Sequence, residues 1–133
     1  MIKEYRSQML ERTLRKMHAA VPGIIASVIV NNDGLLVASY PSGDDDESID
    51  NPTGTPQVAA MAATLMGLAE RTLRRLEQGH LSRLVLESEE GIMIIYPADR
   101  AALAVLVRRD VKPGRVLYAA SRARAEVIET LGG

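Results

Sequence analysis

From Gln57 to Ala69 the chain is apolar on every side of a helix. The run reads Val58, Ala59, Ala60, Met61, Ala62, Ala63, Thr64, Leu65, Met66, Gly67, Leu68 and Ala69. A helix on the surface of a small domain shows one apolar stripe, whereas a helix apolar all round is covered all round. A chain of 133 residues has few places to bury a helix on every side. The simplest cover for its outer face is a second copy of the same chain. At this length one domain, spanning 1–133, is expected. It can bury roughly two-thirds of its unfolded surface without staples.

Composition removes several function classes. Net charge is −1, so no electrostatic footprint argues for nucleic acid. The chain has no Phe or Trp and four Tyr, which leaves no aromatic platform for stacking bases. Cysteine is absent, excluding disulfides, thiolate metal sites and thiol nucleophiles and fitting a reducing cytoplasm. Met1-Ile2-Lys3-Glu4-Tyr5-Arg6 shows no apolar signal region, and Ile2 breaks the myristoylation pattern. No apolar run reaches the ~18 residues that span a bilayer. Asn51-Pro52-Thr53 fails as a glycosylation site because proline sits in the middle. The expected location is therefore cytoplasmic, without direct membrane insertion.

Periodicity orders the rest. Ile2, Tyr5, Met9, Leu10, Leu14, Met17 and Val21 recur at helical spacing. Pro22-Gly23 ends that helix. Two β-branched runs, Ile24 to Val30 and Leu35 to Tyr40, flank Asn31-Asn32-Asp33-Gly34. An Asp-Gly pair between such runs is a strong hairpin signal. The first run is almost continuously apolar, which predicts a strand covered on both faces. Pro41 to Gly54 carries Asp44, Asp45, Asp46, Glu47 and Asp50 and reads as a solvated, mobile loop. The apolar helix follows, with Thr55 as N-cap, Pro56 at its first position and Gly79 as its stop. Leu81 to Ser88, Ile92 to Tyr96 and Ala101 to Arg108 are then joined by short turns, the pattern of an antiparallel meander. A final helix begins near Pro113, with Val116, Ala120, Ala123, Val127 and Leu131 on one face. Five strands form one antiparallel sheet, with two helices covering one face and one the other.

Signals of chemistry are weak. His18 and His80 have no sequence-adjacent Asp or Cys partner, and each reads as a surface or boundary histidine. Asp44, Asp46 and Ser48 begin like a calcium loop, but the positions needing Gly and Glu hold Ile49 and Thr55. There is no phosphate-binding glycine loop. Ser27, Ser39 and Ser88 lie in strands rather than in a nucleophile elbow. Glu89-Glu90 sits at a hairpin tip, with no pocket to shift a pKa. No catalytic residue, cofactor or metal ligand is assigned. The basic face of the first helix, Lys3, Arg6, Arg12, Arg15 and Lys16, reads as solvated because Glu4 and Glu11 interrupt it. Arg71, Arg74 and Arg75 serve equally as helix-end charges or as contacts for an acidic or phosphate-bearing partner.

Several segments, taken in order, resemble the roadblock/LC7 family. They are Val21-Pro22-Gly23-Ile24, Asn32 to Ser39, Ala59-Ala60-Met61-Ala62-Ala63, Leu84 to Gly91 and Ala102 to Leu106. The resemblance implies an α+β fold with a five-stranded antiparallel sheet of order 2-1-5-4-3, the first and third helices on one face and the second on the other. It implies a homodimer in which the middle helix and third strand meet their counterparts. Ala59, Ala60, Ala63, Met66, Gly67, Leu84 and Leu86 are the expected interface, and Arg71, Arg74 and Arg75 the expected partner contacts. Family members are non-catalytic: dynein light chains, scaffold subunits, and partners of Ras-like small GTPases. Some accelerate hydrolysis by repositioning the GTPase's own residues. Three readings follow: a homodimeric regulator of a Ras-like small GTPase, a structural adaptor linking scaffold subunits, or a small-ligand sensor. The Pro41–Gly54 connection looks longer and more acidic than the family's.

Overall fold

The computed structural model describes residues 2–41 and 56–132. The acidic stretch after Pro41 and the expected N-cap Thr55 lie outside the described residues. The elements in order are α1 (Ile2–Ala20), β1 (Ile24–Asn31), β2 (Leu36–Tyr40), α2 (Pro56–Arg75), β3 (Leu84–Glu87), β4 (Gly91–Ala98), β5 (Ala101–Arg108) and α3 (Pro113–Gly132). The strands form one antiparallel sheet of order β2-β1-β5-β4-β3. α1 and α3 pack together on one face and α2 lies on the other. Topology and layering are those expected from the sequence.

The two faces differ in the size of their side chains. Toward α1 and α3 the sheet presents Ile29, Ile94, Tyr96, Leu103, Val105 and Val107. Leu10, Leu14 and Met17 of α1 and Val116, Ala120, Ala123 and Val127 of α3 meet them. Toward α2 it presents Val28, Val30, Ile95, Ala102 and Ala104, met by Ala59 and Ala62. Small residues on both sides let α2 lie close to the sheet. β1 and β5 are covered on both faces, which explains their nearly unbroken apolar sequence. The buried stripe of α1 is narrower than its periodicity predicts, since Tyr5 and Met9 are exposed. Thr13 joins the stripe instead. Its hydroxyl lies 3.1 Å from the Met9 carbonyl oxygen and 3.2 Å from Glu126 Oε1, which also pairs with Lys16 at 2.7 Å.

Turn chemistry fixes the connections. In the β1–β2 turn Asn31 Oδ1 accepts from the amides of Asp33 and Leu35. Gly34 completes the turn at φ +83°, a conformation that suits a residue without Cβ. β3 is shorter than the apolar run predicts, starting at Leu84 rather than Leu81. α2 does not stop at Gly79. Glu77, at φ +57°, takes the left-handed position, and the amides of Gln78 and Glu77 donate to the carbonyls of Leu73 and Arg74. This is a Schellman closure made without glycine. An L-residue there carries about 1–2 kcal/mol of left-handed strain. Glu77→Gly is therefore expected to raise stability by about 1 kcal/mol. Thermal unfolding checks this, and a lowered melting point would refute it.

Candidate functional site

The sides of α2 have separate roles. Ala59 and Ala62 are buried against the sheet, and Ala63, Leu65 and Met66 pack against the same cluster. A second side carries Met61, Leu65, Leu68, Thr72 and Leu76 at spacings of four, three, four and four. Met61 is 61% exposed, Leu68 50% and Leu76 59%. The other outward side is polar: Gln57, Thr64, Arg71, Arg74 and Arg75. A helix apolar all round thus resolves into one side spent on the sheet and one apolar stripe left uncovered.

Location in the sheet orients this stripe. The β1–β2 turn lies against Ala60 and Ala63, where a Cβ on Gly34 would stand 3.5 Å from the Ala60 Cα. Met61, Leu65 and Leu68 lie on the side of the helix away from Ala60 and Ala63. The stripe therefore faces away from the β1–β2 turn.

The two sheet edges are unlike. On β2 a bulge interrupts the ladder where Ile29 pairs with Ala38 but Val30 with Leu36, leaving Val37 extra. The Ser7 hydroxyl donates to the Val37 carbonyl at 3.1 Å. Bulges and covering contacts of this kind block pairing with another chain. Among the described residues β3 has neither protection. It pairs with β4 in unbroken register, and its outer edge leaves Val85 45% and Leu86 39% exposed. A regular apolar edge and an exposed apolar helix stripe are the kinds of surface that a partner can cover.

The expected interface residues divide accordingly. Leu84 and Leu86 lie on this edge, while Met66 packs on the sheet and lines a cleft with Ala63 and Gly67. Ala59 is 0% exposed and has no surface to offer a second copy, because its own sheet consumes it. Ala60 turns to Gly34, Ala63 packs on the sheet, and Gly67 lies half-buried on that flank, lining a cleft with Asn31 and Asp99. Met61, Leu68 and Leu76 form an exposed apolar group outside the expected interface residues. The four-three-four spacing that joins them was present in the sequence, but alanine richness hid it. Arg71, Arg74 and Arg75 are all exposed and make no ion pair among the described residues. Arg74 lines a small cleft with Glu70, Glu77 and His80.

The weak chemical signals are absorbed by structure. His18 is half-buried rather than superficial. Its Nε2 stands 2.9 Å from the Ser27 hydroxyl, and its ring meets Tyr40 edge-on at 4.5 Å. Burial pulls its pKa from 6.5 down to about 4. A lowered folded pKa means that the unfolded chain takes up the proton first as pH falls. Stability from this group is full above pH 6.5 and is lost toward pH 4. Discounted for partial solvation, the expected loss is about 2 kcal/mol. His18→Gln should flatten that part of the stability–pH curve, measured by urea unfolding between pH 7 and 4. A parallel offset would refute the assignment. Ser88 is a turn residue: its hydroxyl bonds the Gly91 carbonyl at 2.8 Å, and Arg109 donates to its own carbonyl. Glu89 and Glu90 are exposed.

Clefts give the ligand reading little polar convergence. A space of about 290 Å³ between β3, β4 and α3 is lined by Val85, Ile92, Ile94, Tyr96, Val116 and Leu117, with Arg83 and Glu87 at its rim. Burial raises the Tyr96 phenol above its usual pKa, and Arg83 opposes that rise. Between α1 and α3 the charged groups Lys16 and Glu126 are paired with each other. Among the described residues no group of His, Asp or Glu is arranged to hold a metal ion. No described helix is long and apolar enough to cross a membrane.

A family model for the Roadblock/LC7 domain matches residues 10–107. The chain belongs to the Roadblock/LC7 family. Protein MJ1340 of Methanocaldococcus jannaschii is 30% identical over 119 residues, which are 90% of this chain and 96% of that protein. The Roadblock/LC7 domain from Streptomyces avermitilis has the same fold, with TM-score 0.79 at 21% identity, covering 92% of this chain and 98% of the other. Myxococcus xanthus MglB gives TM-score 0.80 at 13% identity, covering 94% and 89%. At these identities the structural likeness is one of fold. Roadblock/LC7 proteins are generally regulatory rather than catalytic.

Proposed function

We propose that this Roadblock/LC7 protein is a non-catalytic cytoplasmic homodimer that binds a Ras-like small GTPase and modulates its nucleotide cycle. The observation that carries the reading is the exposed apolar stripe of α2 together with the regular β3 edge, both uncovered among the described residues. A single two-fold axis can cover both at once, giving an isologous interface. Each apolar side chain so covered contributes roughly 1.5–3 kcal/mol when fully buried. The pairing also brings two sets of Arg71, Arg74 and Arg75 onto one assembly. Unpaired arginines are suited to carboxylates or phosphates on a partner.

Such a platform acts by differential affinity. It favours whichever arrangement of the GTPase switch segments it binds more tightly, and shifts the population by that difference alone. The test is capture from native lysate, followed by GTP hydrolysis with and without the protein. A captured GTPase with altered turnover supports the proposal. A captured GTPase with unchanged turnover turns it into the adaptor reading, and no GTPase with no change of rate sinks it. Arg71→Glu, Arg74→Glu and Arg75→Glu together are expected to weaken GTPase capture by about tenfold or more while leaving the dimer intact. Calorimetric titration of the variant measures this.

A further inference from the structure

We infer that the cavity between β3, β4 and α3 is a binding site for a medium-chain monocarboxylate, its carboxylate held by Arg83 and the Tyr96 hydroxyl. α3 packs over β4 and β5, and the sheet runs on past it to β3. A space of about 290 Å³ is left under that margin. Its floor is Val85, Ile94 and Val107, and its helix wall is Val116 and Leu117. Val85 is 45% exposed and Leu117 37%, so apolar surface faces the space. A concave apolar space with a few placed polar groups is the usual form of a small-ligand site. The cavity lies on the sheet face opposite α2, so the inference stands apart from the homodimer reading and its α2 surface.

The polar groups here are few, but two converge at one end. Tyr96 is 3% exposed and lines the cavity, yet its hydroxyl makes no hydrogen bond among the described residues. No fully sealed side-chain oxygen or nitrogen lacks a partner among those residues. The small surface that Tyr96 keeps therefore includes this oxygen, which opens on the cavity. An unpaired hydroxyl in so buried a side chain gains from an acceptor brought to it. Val85 pairs with Ile94 and Leu84 with Ile95, and one step further in that register sets Arg83 beside Tyr96. The Arg83 charge acts on the phenol, and Arg83 makes no ion pair among the described residues. A guanidinium and a phenol both donate, and one carboxylate accepts from both. Glu87 stands at the other end of the cavity, about 13 Å along the strand from Arg83. An acyl chain lying over Val85 and Ile94 brings no charge to Glu87, whereas a dicarboxylate brings a second anion. The space is at the small end of ligand cavities, which suits octanoate rather than a long-chain lipid.

Octanoate is the probe, titrated into isotope-labelled protein and followed by amide resonances. Saturable shifts should appear along β3, β4 and the start of α3. Octanol and suberate should each bind about tenfold more weakly, the first for want of a carboxylate and the second for its charge beside Glu87. Tyr96→Phe and Arg83→Gln should each weaken octanoate about tenfold while leaving octanol unchanged. Arg83 is exposed, so its variant keeps the test open if the change at Tyr96 disturbs folding, which circular dichroism reports. Glu87→Gln should bring suberate to within about twofold of octanoate. Equal affinity for octanoate and octanol would overturn the carboxylate assignment, and suberate as tight as octanoate would overturn the direction of the chain. Shifts confined to α2, or binding abolished by Met61→Asp with Leu68→Asp, would mean adsorption to the exposed stripe and would remove the site. A dimer by sedimentation with no saturable octanoate binding would also remove it, leaving the homodimer reading untouched.

Discussion

Met61→Asp combined with Leu68→Asp is expected to leave a folded monomer. Both side chains are largely exposed in the single chain, so the protomer loses little packing. Asp is a poorer helix former than Met or Leu, which costs about 0.5 kcal/mol at each site. Across a two-fold seam the loss is larger. Two copies of each apolar side chain leave the interface, at roughly 1.5–3 kcal/mol each, and carboxylates must be desolvated in their place. The dissociation constant should rise by about a thousandfold or more. Sedimentation across a concentration series measures this, and far-UV circular dichroism confirms that the variant is folded. A double variant that sediments like the parent would remove the α2 stripe from the seam. Ala63→Glu and Leu65→Asp are poorer probes, because both residues also pack on their own sheet.

Leu103→Ala acts on the opposite property. Leu103 is fully buried on central strand β5, in the cluster shared with α1 and α3. Removing it should destabilise the protomer by about 3–4 kcal/mol, the transfer term plus the cavity left behind. For a chain of this size that corresponds to a fall in melting temperature of roughly 10 °C. The control is Leu86→Ala on the exposed edge, which should lower dimer affinity while changing protomer stability by less than about 1 kcal/mol. Urea unfolding at low and high protein concentration separates the two. A Leu103→Ala protein with parental stability would mean that the layer beneath α1 and α3 is not packed as described.

The fold was legible because its signals are local and agree with one another. Pro22-Gly23 ends α1, Asn31 to Gly34 makes the first hairpin, and short turns tie the last three strands. The continuous apolar runs at β1 and β5 mark strands sandwiched between helices. Strand order 2-1-5-4-3 came from family resemblance rather than from periodicity. The left-handed stop of α2 is not legible in the sequence, since Glu77 gives no signal for the position that glycine usually takes. Of the expected contact residues, Leu86 and the three arginines are exposed and Leu84 is half-buried. Met61 and Leu68 were not distinguished from Ala59 and Ala62, because an alanine-rich helix looks alike from every side.

The sequence by itself determined the element order, the two-faced cover of the central strands and the presence of one helix with more apolar surface than a single domain can use. It did so because hydrophobic periodicity and turn residues act over a few neighbours. Only the tertiary structure decided which side of α2 is left uncovered. That depends on how closely Ala59 and Ala62 let the helix approach Val28, Val30 and Ala104, contacts between residues far apart in the chain. It also decided which sheet edge is available. The bulge at Val37 and the Ser7 hydrogen bond occupy one edge, while nothing among the described residues covers the other.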